Sequence, residues 1–110
     1  MSDDYTPQQV AELLAQGGVQ VIDVRTAHEH EAGHIAGSRW IELQDLPAQV
    51  DSIDRDTPVI LYCRGGGRSA MATEALLHAG YDAHNMTGGM LQWSTAGLQM
   101  EPADGHVAEH

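Results

Sequence analysis

Lysine is absent from this chain, and its permanent cations are five arginines set against sixteen acidic residues, a formal charge of −11. So acidic a balance disfavours nucleic acid and anionic membranes as partners, because neutralising phosphates takes clustered cations. The same composition would suit a high-salt environment. Anion recognition falls to the arginines alone, so their placement matters. Cysteine is nearly absent too: a single Cys63 excludes an intramolecular disulfide framework. No apolar run approaches the roughly 20 residues of a membrane-spanning helix. The opening MSDDYTPQQV has neither a basic n-region nor an apolar h-region, so no signal peptide is expected and a soluble cytoplasmic setting is the default. Internal repeats, low-complexity tracts and linkers are also lacking.

What is present is enough for one small domain. The chain has 110 residues and 42% apolar content, sufficient for a single core holding a sheet and several helices. Thr6-Pro7-Gln8-Gln9 combines an N-cap, Pro at the first helical position and Gln at the third, predicting a helix to about Gln16, stopped by Gly17-Gly18. Val19 to Val24 reads as a short buried strand, followed by an irregular polar segment through Gly37. Trp40 to Leu43 reads as a short strand and Leu46 to Ile53 as a short helix. Pro58 to Tyr62 is the clearest strand, apolar at consecutive positions like a central parallel strand. A helix is expected from Ser69 to Ala79, with Met71, Ala75, Leu76 and Ala79 on one face and Gly80 as its stop. Asp82 to Met86 is a weaker strand, Thr87-Gly88-Gly89 a turn, and Met90 to Thr95 a last short helix. Strands alternating with helices predict an α/β domain with a mainly parallel sheet and helices on both faces.

The chemistry concentrates in Cys63-Arg64-Gly65-Gly66-Gly67-Arg68-Ser69, between the best strand and the best helix. In open α/β sheets, ligands bind outside the carboxyl ends of the strands. Three glycines let the backbone turn tightly with its amides aimed into one cavity. The helix adds its positive N-terminal end, with Ser69 as the expected N-cap. Arg64 and Arg68 offer charge-assisted hydrogen bonds to an anion, and the same field favours the Cys63 thiolate. Packing alone would explain a lone cysteine at a strand end, but not two arginines and three glycines directly after it. A nucleotide-binding P-loop fails, since no lysine precedes Ser69 and the glycine spacing is wrong.

With this loop in view, the sequence resembles the rhodanese-like sulfurtransferases. Cys63 to Arg68 is similar to that family's six-residue active-site loop, C-x-x-x-x-R. Asp23-Val24-Arg25 resembles its D-V-R. Glu29 followed by Gly33-His34-Ile35-Ala36-Gly37-Ser38 resembles its E-x-x-x-G-H-I-x-G-[AS] segment, and Thr87-Gly88-Gly89 with Trp93 its late G-G-x-x-x-W. The resemblance implies a rhodanese-like three-layer α/β fold of about five strands over residues 5–100, with 1–4 and 101–110 as flexible termini.

It also implies a mechanism. Cys63 would attack the outer sulfur of a thiosulfate-like donor, become a persulfide, and pass the sulfur to cyanide or a thiol, a protein thiol included, in ping-pong fashion. Gly65, Gly66, Gly67 and Ser69 would bind the donor with Arg64 and Arg68, although Arg68 could instead brace the loop. No cofactor is implied. With no second cysteine the persulfide cannot resolve internally, so an external acceptor is needed. The rival readings are a related cysteine-dependent phosphatase, whose loop is one residue longer, and a non-catalytic binding module, which usually lacks the nucleophile. Asp23 and Arg25 are expected to brace loops by ion pairing and Trp93 to fill core.

One stretch competes for attention. His30-Glu31-Ala32-Gly33-His34 matches H-E-x-x-H, and Gly37 sits where the extended zinc-protease pattern wants glycine. The third ligand position is occupied by Trp40, which cannot bind zinc. His78, His84, His106 and His110 have no ligand spacing. No metal site is expected.

Overall fold

β1 (Gln20–Asp23), β2 (Arg39–Trp40), β3 (Val59–Tyr62) and β4 (Ala83–Asn85) form one parallel sheet in the order β2-β1-β3-β4. This is a computed structural model that describes residues 4–109. Residues 1–3 and 110, assigned to the termini in the sequence reading, lie outside the described residues. The expected five strands are corrected to four among the described residues. Beside β4, among the described residues, there is a single parallel bridge, Tyr5 to Met86. Extension there is stopped by α1 (Pro7–Gln16), whose capping box closes immediately after Tyr5: Gln9 N–H donates to the Thr6 hydroxyl, and Thr6 N–H to the Gln9 side chain.

Strand periodicity sorts the core into two layers. Val21, Ile60 and Tyr62 face Val10 of α1 and Met90 and Trp93 of α5 (Gly89–Thr95). Ile22, Val59 and Leu61 face Leu46 of α3 (Leu46–Gln49) and Ala72 and Leu76 of α4 (Gly67–His78). Each fully buried aliphatic side chain contributes roughly 1.5–3 kcal/mol. A one-residue slip of β3 would swap the two sets between faces, so the register Val21–Ile60 and Ile22–Leu61 is strongly held. The helices therefore lie on both sides of the sheet, as the alternating pattern predicted.

Five local readings change. The segment after β1 is not wholly irregular: α2 spans Ala27–Ala32, opened by a Thr26/Glu29 capping box. The second strand is Arg39–Trp40 rather than Trp40 to Leu43, and α3 is one turn flanked by 3-10 turns at Leu43–Asp45 and Val50–Ser52. In α4 the buried face is Ser69, Ala72, Thr73 and Leu76, while Met71 is 67% exposed. The helix starts two residues earlier than expected, and Ser69 is drawn inward by polar partners, which turns the face by one residue.

The fifth change concerns residues 101–109, read from sequence as loose. Glu101 and His34 exchange backbone hydrogen bonds, His106 N–H donates to the Ala32 carbonyl, and Ala108 is buried. Close approach depends on missing side chains. A Cβ at Gly33 would come within 2.7 Å of the His106 carbonyl oxygen, and one at Gly105 within 2.9 Å of the Ala32 carbonyl oxygen. No helix among the described residues is long and apolar enough to cross a membrane.

Candidate active site

Cys63 follows the last residue of β3, whose four residues are all 0% exposed, so its backbone is fixed by the most buried part of the sheet. Its Sγ lies 3.0 Å from the Gly66 amide nitrogen, 3.4 Å from that of Ser69 and 3.3 Å from the Ser69 hydroxyl. Burial pushes the thiol up, but the Ser69 hydroxyl and the amides of Ser69, Gly66 and Arg68 outweigh it and hold the thiol below its ordinary value.

Gly66 adopts the left-handed region at φ 106° and caps α4, which begins at Gly67. The expectation that Ser69 caps the helix is corrected: Ser69 sits in the first turn with its side chain turned inward to Sγ. Of the three glycines, Gly66 carries the conformational requirement. An added Cβ at Gly67 would meet nothing within 4 Å, and one at Gly65 only the Leu91 side chain at 3.9 Å. The outer side of the loop is open.

The Gly88-Gly89 pair explains the late glycine motif. Gly89 brings α5 directly against the loop, where Met90 N–H donates to the Cys63 carbonyl at 2.9 Å and Leu91 N–H to the Arg64 carbonyl at 3.0 Å. A Cβ on Gly89 would lie 2.5 Å from both of those carbonyl oxygens. The first turn of one helix thus holds the start of the loop while the first turn of another forms its end. Trp93 fills core as expected, with its indole N–H donated to the Gln99 carbonyl at 3.1 Å.

The two loop arginines differ. Arg68 places Nη1 and Nη2 each 2.8 Å from a different oxygen of Glu29, whose side chain is fully buried. Burial works against the Glu29 charge, but Arg68 and the Thr26 cap overcome it and bring the carboxyl down to about 2. Arg64 has no carboxylate partner among the described residues and spends only Nε, donated to the Ala108 carbonyl at 3.1 Å. A cleft of about 280 Å³, lined by Val24, Thr26, Glu42, Leu43, Gln44 and Arg68, opens on the Arg68 side.

Asp23 and Arg25 brace, as expected. Arg25 Nε and Nη2 bind the two Asp23 oxygens at 2.9 and 2.7 Å, and Nη2 also donates to the Gly33 carbonyl. The histidines of the zinc-like stretch are occupied by the scaffold. His30 Nδ1 contacts Asp23 Oδ2 at 2.8 Å, His34 Nδ1 contacts the His30 carbonyl at 2.8 Å, and the two rings stack with centroids 3.9 Å apart. Gly33 ends α2, so the two histidines do not share a helix.

Sequence reasoning assigned no role to Glu29 or Asn85. For Glu29 a signal existed: Thr26-x-x-Glu29 is a capping box, and a helix there would have pointed a carboxylate inward. Asn85 ends β4 with 7% exposure and places Oδ1 2.6 Å from the Ser69 hydroxyl. A single asparagine within an otherwise ordinary strand gives no signal of that kind.

Comparison with known proteins agrees with this architecture. Residues 6–96 match the family model described as the rhodanese-like domain. A thiosulfate sulfurtransferase, GlpE, of Pseudomonas paraeruginosa is 31% identical over 99% of this chain and 98% of its own length. A protein described as a sulfurtransferase from Allochromatium vinosum is 32% identical over 96% of this chain and 100% of its own. The crystal structure of a rhodanese-like domain protein from Staphylococcus aureus, 33% identical, superposes with a TM-score of 0.79 over 84% of this chain and 91% of that one. A buried cysteine at the end of a central parallel strand, cradled by a glycine turn and a helix start, therefore has its family: the chain belongs to the rhodanese-like domain proteins.

Proposed function

We propose that the chain is a sulfurtransferase that carries sulfane sulfur on Cys63 from an anionic donor of the thiosulfate type to an external thiophilic acceptor. The observation that carries this reading is the set of three donors converging on Cys63 Sγ, from Gly66 N–H, Ser69 N–H and the Ser69 hydroxyl. Together they favour the thiolate and suit an anionic sulfur at that position. The names of the full-length relatives support the same chemistry.

In the first half-reaction the Cys63 thiolate forms a bond to the outer sulfur of thiosulfate. The bond between the two sulfurs of the donor breaks, and sulfite leaves with its electron pair. In the second, cyanide or a thiolate attacks the terminal persulfide sulfur and the Cys63 thiolate departs. Arg64, with both terminal nitrogens turned to no carboxylate among the described residues, binds the donor's oxyanion end. Arg68 braces the loop through Glu29, so its part in donor binding is secondary. Gly65, Gly67 and the amides beside them form the open rim through which the donor enters. The donor is a small thiosulfate-like anion or a persulfide, the acceptor an external thiol or cyanide, a protein thiol included, and the setting is the cytoplasm.

The test is thiosulfate:cyanide sulfurtransferase activity in the wild type and in Cys63→Ser. Thiocyanate formation that disappears in the variant supports the reading. Hydrolysis of aryl phosphate without sulfur transfer would replace it with the phosphatase reading, and absence of both activities would leave a binding module.

A further inference from the structure

We propose that Asn85 is a positioning residue that tunes the reactivity of Cys63 through the single hydroxyl proton of Ser69. The inference rests on the reading of Cys63 as the nucleophile. The Ser69 oxygen faces three acceptors, Asn85 Oδ1 at 2.6 Å, the Gly66 carbonyl at 3.2 Å and Cys63 Sγ at 3.3 Å. A hydroxyl has one proton, so it can donate to only one of them at a time.

The orientation of the Asn85 amide follows from its other end. Nδ2 faces the Gly66 carbonyl at 3.4 Å, so the oxygen is the atom presented to Ser69. Asn85 is buried, and so is Ser69 at 0% exposure, so water has little access to replace a lost partner. At 2.6 Å the Ser69–Asn85 contact is the shortest of the three, and in the thiol state the hydroxyl donates to Asn85. The Ser69 oxygen is then an acceptor, and the thiol S–H is the group that can donate to it.

Ionisation reverses this. When the thiol proton is lost to water, Sγ becomes a charged acceptor and the Ser69 hydroxyl turns to it, as thiolate stabilisation requires. Asn85 Oδ1 then loses its hydrogen bond in a buried site, at a cost that opposes the thiolate. After sulfur transfer to an acceptor, the departing Cys63 thiolate meets the same choice. Asn85 therefore holds the nucleophile back from full ionisation, keeping the thiolate basic enough to attack a donor sulfur.

Other charged groups near the thiol do not duplicate the role. Arg68, at the loop's end, faces Cys63 but is paired with Glu29 of α2, and at the end of β1 Asp23 and Arg25 pair with each other and with His30 and the Gly33 carbonyl. α5, packed against the loop, brings backbone amides and carries no titratable side chain from Gly89 to Thr95. β4 contributes Asn85.

The test is the pH profile of Cys63 alkylation by iodoacetamide in the full chain, which requires no sulfur transfer. Asn85→Leu removes the shortest competing acceptor while keeping the branched side-chain skeleton, and is expected to move the profile to lower pH by roughly one pH unit. Asn85→Asp strengthens the competitor and adds a like charge, so it should move the profile upward. In a Ser69→Ala background, Asn85→Leu should have no further effect. A profile in Asn85→Leu that is unmoved or shifted upward, or a downward shift that persists without the Ser69 hydroxyl, overturns the proposal. Should Asn85→Leu fail to fold, the sign of the Asn85→Asp shift decides alone. If the wild type forms no persulfide while these shifts appear, it is the sulfurtransferase reading that fails and not the hydrogen-bond switch.

Discussion

Arg68 and Glu29 meet fork to fork, each terminal nitrogen of the arginine 2.8 Å from its own carboxylate oxygen. The pair ties the end of the cysteine loop to the second helix and leaves Arg64 as the loop arginine with no carboxylate partner among the described residues. Removing one partner of such a pair strands the other's charge.

Glu29→Ala is accordingly expected to lower stability by about 3 kcal/mol near neutral pH. The Glu29 carboxyl is depressed from its ordinary 4.5 to about 2 in the folded state. Its contribution is therefore present above the ordinary carboxylate range and is lost as pH falls from about 4.5 towards 2. Thermal melting across that interval should show a steeper acid loss in the wild type than in Glu29→Gln. Equal acid slopes would contradict the assignment.

Arg64 should matter for donor affinity more than for turnover. Arg64→Ala is expected to raise KM for thiosulfate roughly tenfold, consistent with losing one charge-assisted contact. The effect should shrink with an uncharged sulfane donor. Steady-state kinetics with both donors would check it, and an equal loss with each would assign Arg64 to the scaffold.

The glycines of the loop should behave unequally. Gly66→Ala forces a side chain into φ 106° and should slow Cys63 alkylation and destabilise the fold by about 1 kcal/mol or more. Gly67→Ala, with nothing within 4 Å of the new Cβ, is expected to stay within about 0.5 kcal/mol of wild type. Chemical denaturation of the two variants makes the comparison.

Gly89→Ala reaches the site from below. Its Cβ would collide with the Cys63 and Arg64 carbonyl oxygens at 2.5 Å, so α5 must retreat and the loop loses two amide donors. A destabilisation of about 2–4 kcal/mol is expected, together with a slower reaction of Cys63. Unchanged stability would mean that α5 does not hold the loop.

The cysteine loop and its neighbours were legible because periodicity and turn chemistry are local. Val59 to Tyr62 could only be a buried strand, and the glycines after Cys63 could only turn. Asp23 and Arg25 were legible as a brace because opposite charges after a buried strand need each other. What escaped depended on contacts between distant segments. Glu29 reaches Arg68 across 39 positions and Asn85 reaches Ser69 across 16. Gly33 in the zinc-like stretch has an extended φ of 173°, so it is glycine for space rather than conformation: the backbone of His106 lies where its side chain would be. The rotation of α4 was misjudged for the same reason, since the pull of Cys63 and Asn85 on Ser69 is invisible to a hydrophobic pattern.

The central claim is that Cys63 carries the sulfur. Mass spectrometry of the intact protein after exposure to thiosulfate tests it most directly. The wild type should gain the mass of one sulfur atom and lose it again on addition of cyanide, while Cys63→Ser gains nothing. A wild-type protein that acquires no sulfur from thiosulfate or from any other sulfane donor would contradict the account.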